Sequence, residues 1–361
     1  MVIIIHCTSH CNMGCRYCYE ENWMENTITI DKINSDFEKA IPIFVKSINE
    51  VVELKREMPV DILLHGGEPL LIRPNIMSKF ISEVKMKHPS LKFKIQTNGT
   101  LLTDEYIELF KKYSIPVGVS LDGPQHLNDI NRVFKGGKGT FSTVMENIKK
   151  ARYKNVRVGG LLTLTATNVK NIKEIYDFFK EEKLDFSFNP FFEPDQMNYG
   201  DLKMDETDYA AAVCELFDLW INDQENTISI KYFEKIIEAI CYPESGLKLC
   251  MASKDCSKQF ISIDVEGNVA QCNHFAIRPE YYYGNVCEKS IKELWVNKNM
   301  EYRWDTLNTG ECENCNYSNF CYGGCPYHSV VKFNDLTHKA FNCESTKIII
   351  DHILKKLHEC I

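Results

Sequence analysis

Apolar and polar positions alternate in a regular order over residues 2–192. Val2–His6 is a continuous β-branched apolar run and reads as a buried strand. Apolar residues recur at helical spacing over Ile33–Leu54, Asn75–Lys87, Asp104–Tyr113, Phe141–Tyr153 and Asn168–Lys180. Between them lie runs with strand character: Asp61–His65, Lys92–Thr97, Pro116–Leu121, Val156–Leu164 and Asp185–Phe192. Strand and helix therefore alternate through six strands, which predicts a parallel sheet with helices on its outer face. Right-handed crossovers would curl such a sheet into a barrel or partial barrel.

After Asp201 the alternation stops. Asp205–Asp223 and Lys231–Ala239 read as helices. Near Lys248 a second region begins, with a short hairpin in which Ile261–Asp264 and Asn268–Gln271 flank Glu266-Gly267. Phe341–Leu357 contains a closing helix. The predicted organisation is an α/β partial (β/α)6 barrel over 1–204, bridging helices over 205–247, and a small cysteine-rich domain over 248–361.

With 361 residues the chain can bury a large core, and its 44% hydrophobic and 25% charged content is ordinary for a globular protein. A net charge of -8 argues against a nucleic-acid partner, which needs concentrated Lys and Arg. No apolar run approaches the ~20 residues of a membrane span. Met1-Val2-Ile3-Ile4-Ile5 is too short for a signal peptide and lacks a basic stretch. These features predict a cytoplasmic protein. Its sixteen cysteines then point to metal ligation rather than disulfides, and they concentrate at residues 7–18 and 250–343.

The first concentration holds the stretch with the most chemistry. Cys11, Cys15 and Cys18 are spaced C-x3-C-x2-C on a loop directly after the first strand. Three thiolates there can hold three corners of a [4Fe–4S] cube and leave one iron open for a ligand. The loop alone also allows zinc, with His10 or Cys7 as fourth ligand. Barrel enzymes keep their chemistry at the C-terminal ends of strands, and further motifs fall there. Gly66-Gly67-Glu68-Pro69 follows the second strand, Gln96-Thr97-Asn98-Gly99 the third, and Ser120-Leu121-Asp122-Gly123-Pro124 the fourth, with Arg132 shortly after.

This constellation resembles the radical S-adenosylmethionine (radical SAM) superfamily. The resemblance implies that the open iron chelates S-adenosylmethionine, which an electron from the cluster cleaves to a 5′-deoxyadenosyl radical. Gly66, Gly67 and Glu68 would face its amino group, where glycines permit close backbone approach. Tyr17 would contact the adenine. Ser120, Asp122 and Arg132 belong to the fourth-strand motif, with Ser120 and Arg132 at the ribose or carboxylate end; Arg suits a carboxylate through its planar fork. Asn98 would line the same pocket.

The second concentration resembles the SPASM pattern of proteins with two auxiliary [4Fe–4S] clusters: Cys256, Cys272, Cys312, Cys315, Cys321, Cys325 and Cys343, with Cys250 as an eighth cysteine. By that resemblance Cys250, Cys256, Cys272 and Cys325 bind one auxiliary cluster, and Cys312, Cys315, Cys321 and Cys343 the other. A pair of zinc sites is the alternative. Cys7, Cys214, Cys241, Cys287 and Cys360 have no place in either pattern. The cofactors implied are three [4Fe–4S] clusters and S-adenosylmethionine.

The resemblance implies hydrogen-atom abstraction from a peptide or protein substrate, with a flavodoxin- or ferredoxin-type reductant as electron source. The leading expectation is a peptide maturase that forms a thioether or carbon–carbon link. The alternative is an anaerobic sulfatase-maturating enzyme, which forms formylglycine. That family has an Asp base after the third SPASM cysteine, where this chain has Asn273; Asp264 or Glu266 could replace it. A non-enzymatic iron–sulfur electron carrier is a further alternative, against which the strand-end motifs argue. With the first strand beginning at Val2, no leader-binding domain is expected at that end, and any leader recognition is expected to need a separate protein or some other surface.

Overall fold

The computed structural model describes residues 1–20, 28–56, 58–191, 200–225, 227–242, 247, 249–254, 256–295 and 302–359. Phe192, Lys248 and Cys360, named above, lie outside them.

The elements through residue 190 follow the expected order: β1 (Val2–His6), α1 (Ile30–Leu54), β2 (Asp61–His65), α2 (Pro74–Lys87), β3 (Lys92–Thr97), α3 (Asp104–Tyr113), β4 (Val117–Ser120), α4 (Gln125–Asn131), α5 (Phe141–Tyr153), β5 (Val158–Leu164), α6 (Ile172–Glu181) and β6 (Phe186–Pro190). Helix α4 is an addition to the sequence reading. The long helices α7 (Glu206–Ile221) and α8 (Lys231–Cys241) come next. Short elements then dominate: α9 (Cys256–Gln259), β7 (Phe260–Asp264), β8 (Asn268–Ala270), β9 (Gly284–Asn285), α10 (Ile291–Trp295), α11 (Tyr302–Asn308), α12 (Ser318–Cys321) and α13 (Pro326–Phe333). The closing helix is α14 (Cys343–Glu359). The architecture is α/β, an open and mostly parallel sheet with helices: the partial barrel that the alternation predicts.

The chain forms two compact units. The first comprises Met1–Ser120, Arg132–Gly159 and Ser257–Lys298. The second comprises Leu121–Asn131, Gly160–Cys256 and Asn299–Ile361.

In the first unit the strand order is β4-β3-β2-β1-β7-β8-β9. Strands β4 to β1 are parallel, and β7 joins β1 in parallel with Val2 opposite Phe260 and His6 opposite Asp264. The predicted hairpin is present, with Ser262 opposite Ala270. Its parallel seat on β1 was not legible in the sequence. Because neighbouring residues in register point to one side of a sheet, His65, His6 and Asp264 share a face at the C-terminal strand ends. Helix α1 starts at Thr29, whose hydroxyl accepts from Lys32 N at 3.2 Å. It buries Phe37 and Phe44, which meet Phe80 of α2 at 5.8 and 5.7 Å, and Phe80 meets Phe93 of β3 at 5.9 Å. Each such ring contributes roughly 2 kcal/mol of burial.

In the second unit β5 and β6 pair in parallel, Gly160 opposite Phe186. A Cβ on Gly160 would come within 2.6 Å of the Phe179 ring, so the glycine lets α6 close onto β5. Phe217 and Trp220 of α7 pack on Phe233 of α8 at 5.1 and 5.6 Å.

Candidate active site

The cluster loop of the first unit is held by backbone bonds to the segment after the second strand. Gly67 N donates to Thr8 O at 2.6 Å, and Glu68 N to His10 O at 2.8 Å. A Cβ on Gly67 would lie 2.3 Å from His10 O, and one on Gly66, where φ is +120°, 2.5 Å from Thr8 O. The two glycines thus seat the cysteine loop against β2. This structural demand stands in addition to any backbone approach to an ammonium group.

Glu68 is fully buried. Its Oε1 accepts from Leu70 N at 2.8 Å and Thr97 Oγ1 at 2.6 Å, and its Oε2 from Asn98 N at 2.7 Å. Burial pushes its carboxyl up to about 7, against the pull of those three bonds. The carboxylate is therefore the fastener between the ends of the second and third strands. Asn98 reaches from there to the cluster loop: its Nδ2 lies 3.6 Å from Cys11 Sγ and 2.9 Å from Asn12 Oδ1. Asn12 in turn donates to Thr100 Oγ1 at 2.8 Å.

Cys11, Cys15 and Cys18 are all half-buried. Burial pushes the Cys11 thiol up to about 12, with Glu68 and Cys15 adding to it. Cys18 is raised by burial and then by Cys15, Glu20 and Cys11. Thiols this hard to ionise bind as thiolates once iron supplies positive charge. Donors already face Cys11 Sγ, from Met13 N at 3.4 Å and from Asn98, as suits a cluster ligand. Tyr17 is buried beneath Arg132, whose guanidinium carbon sits 5.3 Å from the ring centroid. Arg132 is 6% exposed, so it is not a solvated surface residue. Ser120 Oγ accepts from Gln96 Nε2 at 3.1 Å.

A polar group that the sequence reading missed covers the face of β1 next to the loop. His6 Nδ1 lies 3.0 Å from Asn273 Oδ1. Asn273 Nδ2 donates to the Tyr19 hydroxyl and lies 3.4 Å from Glu20 Oε1. Glu20 is 2% exposed, its Oε2 has no hydrogen-bond partner among the described residues, and His6 Nε2 stands 3.9 Å from that oxygen. Burial raises the Glu20 carboxyl; His6, Asn273 and Tyr19 pull it back. His65 and His274 are held low by burial, at about 3 and about 4 respectively, and are neutral near pH 7. The available signal was positional: His6 and His65 end adjacent strands, and Tyr19-Glu20 directly follows Cys18.

Of the two carboxylates proposed as substitutes for a missing Asp, Asp264 ends β7 and Glu266 sits in the hairpin turn that follows. Asp264 accepts from Glu266 N and Asn268 N, each at 2.9 Å, and from Asn268 Nδ2 at 2.9 Å. Glu266 is exposed. Glu20 supplies a further carboxylate, its Oε1 3.4 Å from the Asn273 amide.

In the second unit Asp122 is fully buried and accepts from Thr163 N at 3.0 Å, while its own N–H donates to Asn128 Oδ1 at 3.1 Å. The unit also contains all four cysteines expected for one auxiliary cluster, Cys312, Cys315, Cys321 and Cys343. Burial pushes Cys312 up to about 11, and Cys321, Cys343 and Cys315 add to it in that order. Backbone N–H groups of Gly323 and Gly324 donate to the Cys321 thiol, and those of His328 and Tyr327 to Cys325. Such N–H···S donors fit iron–sulfur ligation. Of the other set, Cys250, Cys256 and Cys325 belong to this unit and Cys272 to the first. Cys7 is buried, Cys214 half-buried, and Cys241 and Cys287 exposed. No described helix is long and apolar enough to cross a membrane.

Two family models match the chain: the radical SAM superfamily over residues 5–180 and an iron–sulfur cluster-binding SPASM domain over 255–316. A cysteine-type anaerobic sulfatase-maturating enzyme of Clostridium novyi (strain NT) is 29% identical over 371 residues, covering 99% of this chain and 96% of that one. A serine-type anaerobic sulfatase-maturating enzyme of Bacteroides thetaiotaomicron is 27% identical over 340 residues, covering 88% and 80%. The solved structure of native anSMEcpe with bound AdoMet superposes with a TM-score of 0.83 at 23% identity, covering 99% of this chain and 98% of that one. The fold is shared over almost the full length.

Proposed function

We propose that this chain, a radical SAM enzyme with an iron–sulfur SPASM domain, oxidises a cysteine or serine side chain of a peptide or protein to formylglycine. The reading is carried by the end-to-end similarity to sulfatase-maturating enzymes of both the cysteine and the serine type. It reverses the order of preference set by Asn273 alone. That residue cannot take a proton, yet its amide lies 3.4 Å from a buried carboxylate, Glu20. The polar face therefore has an acceptor, supplied from the cluster loop rather than from beside the SPASM cysteine.

When bound, S-adenosylmethionine and its cluster supply a carbon radical that removes a hydrogen atom from the substrate. Cys11, Cys15 and Cys18 would hold that cluster. Gly66 and Gly67 keep the loop seated, and Glu68 fixes the neighbouring strand ends. Tyr17, Asn98, Ser120, Asp122 and Arg132 would position S-adenosylmethionine. His6, Asn273, Tyr19 and Glu20 would face the substrate side chain. Cys250, Cys256, Cys272 and Cys325, and Cys312, Cys315, Cys321 and Cys343, would hold two auxiliary clusters, which would supply electron-accepting chemistry, and a flavodoxin- or ferredoxin-type protein would be the reductant.

The test is anaerobic incubation of the reconstituted protein with S-adenosylmethionine, a reductant and a sulfatase-derived peptide. Versions of the peptide carrying Cys, Ser or Ala at the target position are compared. Aldehyde on the Cys or Ser peptide, trapped with a hydrazide and accompanied by 5′-deoxyadenosine, supports the proposal. A second reading, a thioether or carbon–carbon crosslinking maturase with or without a separate leader-binding protein, is favoured by the neutral Asn273. It would give a peptide that has lost two hydrogens and carries no aldehyde.

A further inference from the structure

Arg303, on α11 in the second unit, is an unusual cation. It is 5% exposed, and among the described residues it makes no ion pair with a carboxylate; the charges that act on it are those of cysteine thiols. One Nη donates to Tyr322 O at 3.3 Å. The other lies 3.0 Å from each of Gly323 O, Ser329 Oγ and His338 O. Its Nε is buried and has no hydrogen-bond partner among the described residues. Neutral carbonyls orient a guanidinium but do not neutralise it, and an uncompensated buried charge is costly.

The missing negative charge has an evident source. Two of the three carbonyls that hold Arg303, those of Tyr322 and Gly323, belong to the turn between Cys321 and Cys325, in which Tyr322, Gly323 and Gly324 all have positive φ (51°, 75° and 74°). That turn passes from a ligand of one auxiliary cluster to a ligand of the other, on the assignment that the cysteine spacing implies. The thiol groups whose charge acts on Arg303 are, in order, Cys325, Cys256, Cys312 and Cys321, two from each set. A [4Fe–4S] cube with four thiolates is a dianion when oxidised and gains a further negative charge on reduction.

We propose that Arg303 is the shared cationic partner of the two auxiliary clusters and holds both reduction potentials up. A fixed positive charge stabilises the more negative, reduced state of each cluster. Its guanidinium is anchored through the Tyr322 and Gly323 carbonyls, so it sits in the chain that links the two ligand sets. Nε–H is the donor left for a cluster sulfur. The clusters are thereby poised to accept an electron from a substrate radical. This holds whether the product is an aldehyde or a crosslink, so it stands apart from the proposed reaction.

The test uses full-length protein carrying Ala at Cys11, Cys15 and Cys18, so that only the auxiliary clusters report. Arg303, Arg303→Lys and Arg303→Gln forms are reconstituted, assayed for iron and titrated by EPR-monitored reduction. Full iron in all three, a more negative midpoint for Gln and a near-parental midpoint for Lys support the proposal. A Gln form that loses iron while the Lys form keeps it also supports it, because charge alone separates the two. Unchanged midpoints with full iron overturn it. Loss of iron from both variants also overturns it, since the side chain would then be needed for its fork geometry and not its charge.

Discussion

The imidazole of His6 and the side-chain amide of Asn273, 267 positions apart in the chain, meet at 3.0 Å. The bond joins the end of β1 to the residue after Cys272. Since Asn273 Oδ1 accepts there, its Nδ2 is turned toward Tyr19 and Glu20. Asn273→Asp replaces that donor by an acceptor and sets a second carboxylate against Glu20. Leaving such buried partners unmatched costs about 1–3 kcal/mol. The expected result is a lower Tm than wild type at equal iron content, and an unchanged Tm would count against the network.

The glycines beside the cluster loop give a second prediction. In Gly67→Ala the new methyl group would meet the backbone of His10 at 2.3 Å, and backbone cannot turn aside as a side chain can. The loop carrying Cys11 must move. Reconstituted wild type should hold about 12 iron, and the variant about 8, because the auxiliary cysteines are untouched. Iron analysis and the loss of 5′-deoxyadenosine formation check this. Retention of all the iron would show that the loop tolerates the displacement.

Glu68 predicts a pH effect. Its carboxyl moves from an ordinary value of 4.5 up to about 7 in the folded chain. Between those values the folded protein keeps a proton that the unfolded chain has released. This group alone therefore makes the fold less stable as pH rises from about 4.5 to about 7. Glu68→Gln should flatten that part of the Tm-against-pH curve. Glu68→Ala should lower Tm at every pH, because Leu70 N, Thr97 Oγ1 and Asn98 N lose their acceptor.

The stacking of Arg132 over Tyr17 predicts coupled losses. Tyr17→Leu removes a ring under a cation that is itself 6% exposed, worth roughly 1–2 kcal/mol when desolvated. A double-mutant cycle with Arg132→Met on S-adenosylmethionine affinity should show a non-additive term. Additive losses would mean that the two residues act separately.

Much of the architecture was present in residue order alone. Alternating apolar periods determined the six strands and the helices between them, since burying one face of each element is a local demand on sequence. The C-x3-C-x2-C loop and the spaced cysteines after residue 250 pointed to iron–sulfur chemistry, because three thiolates on one short loop can hold three corners of a cube. What tertiary structure decided is of another kind. That β7 lies parallel to β1 depends on register between segments far apart, which no local period encodes. The short helices α9 to α13 span too few turns to show a period at all. His6, Glu20 and Asn273 form a group only because a strand end, the cluster loop and the residue after Cys272 converge. Arg303 looks like any surface arginine until burial removes it from water and leaves it among cysteine thiols.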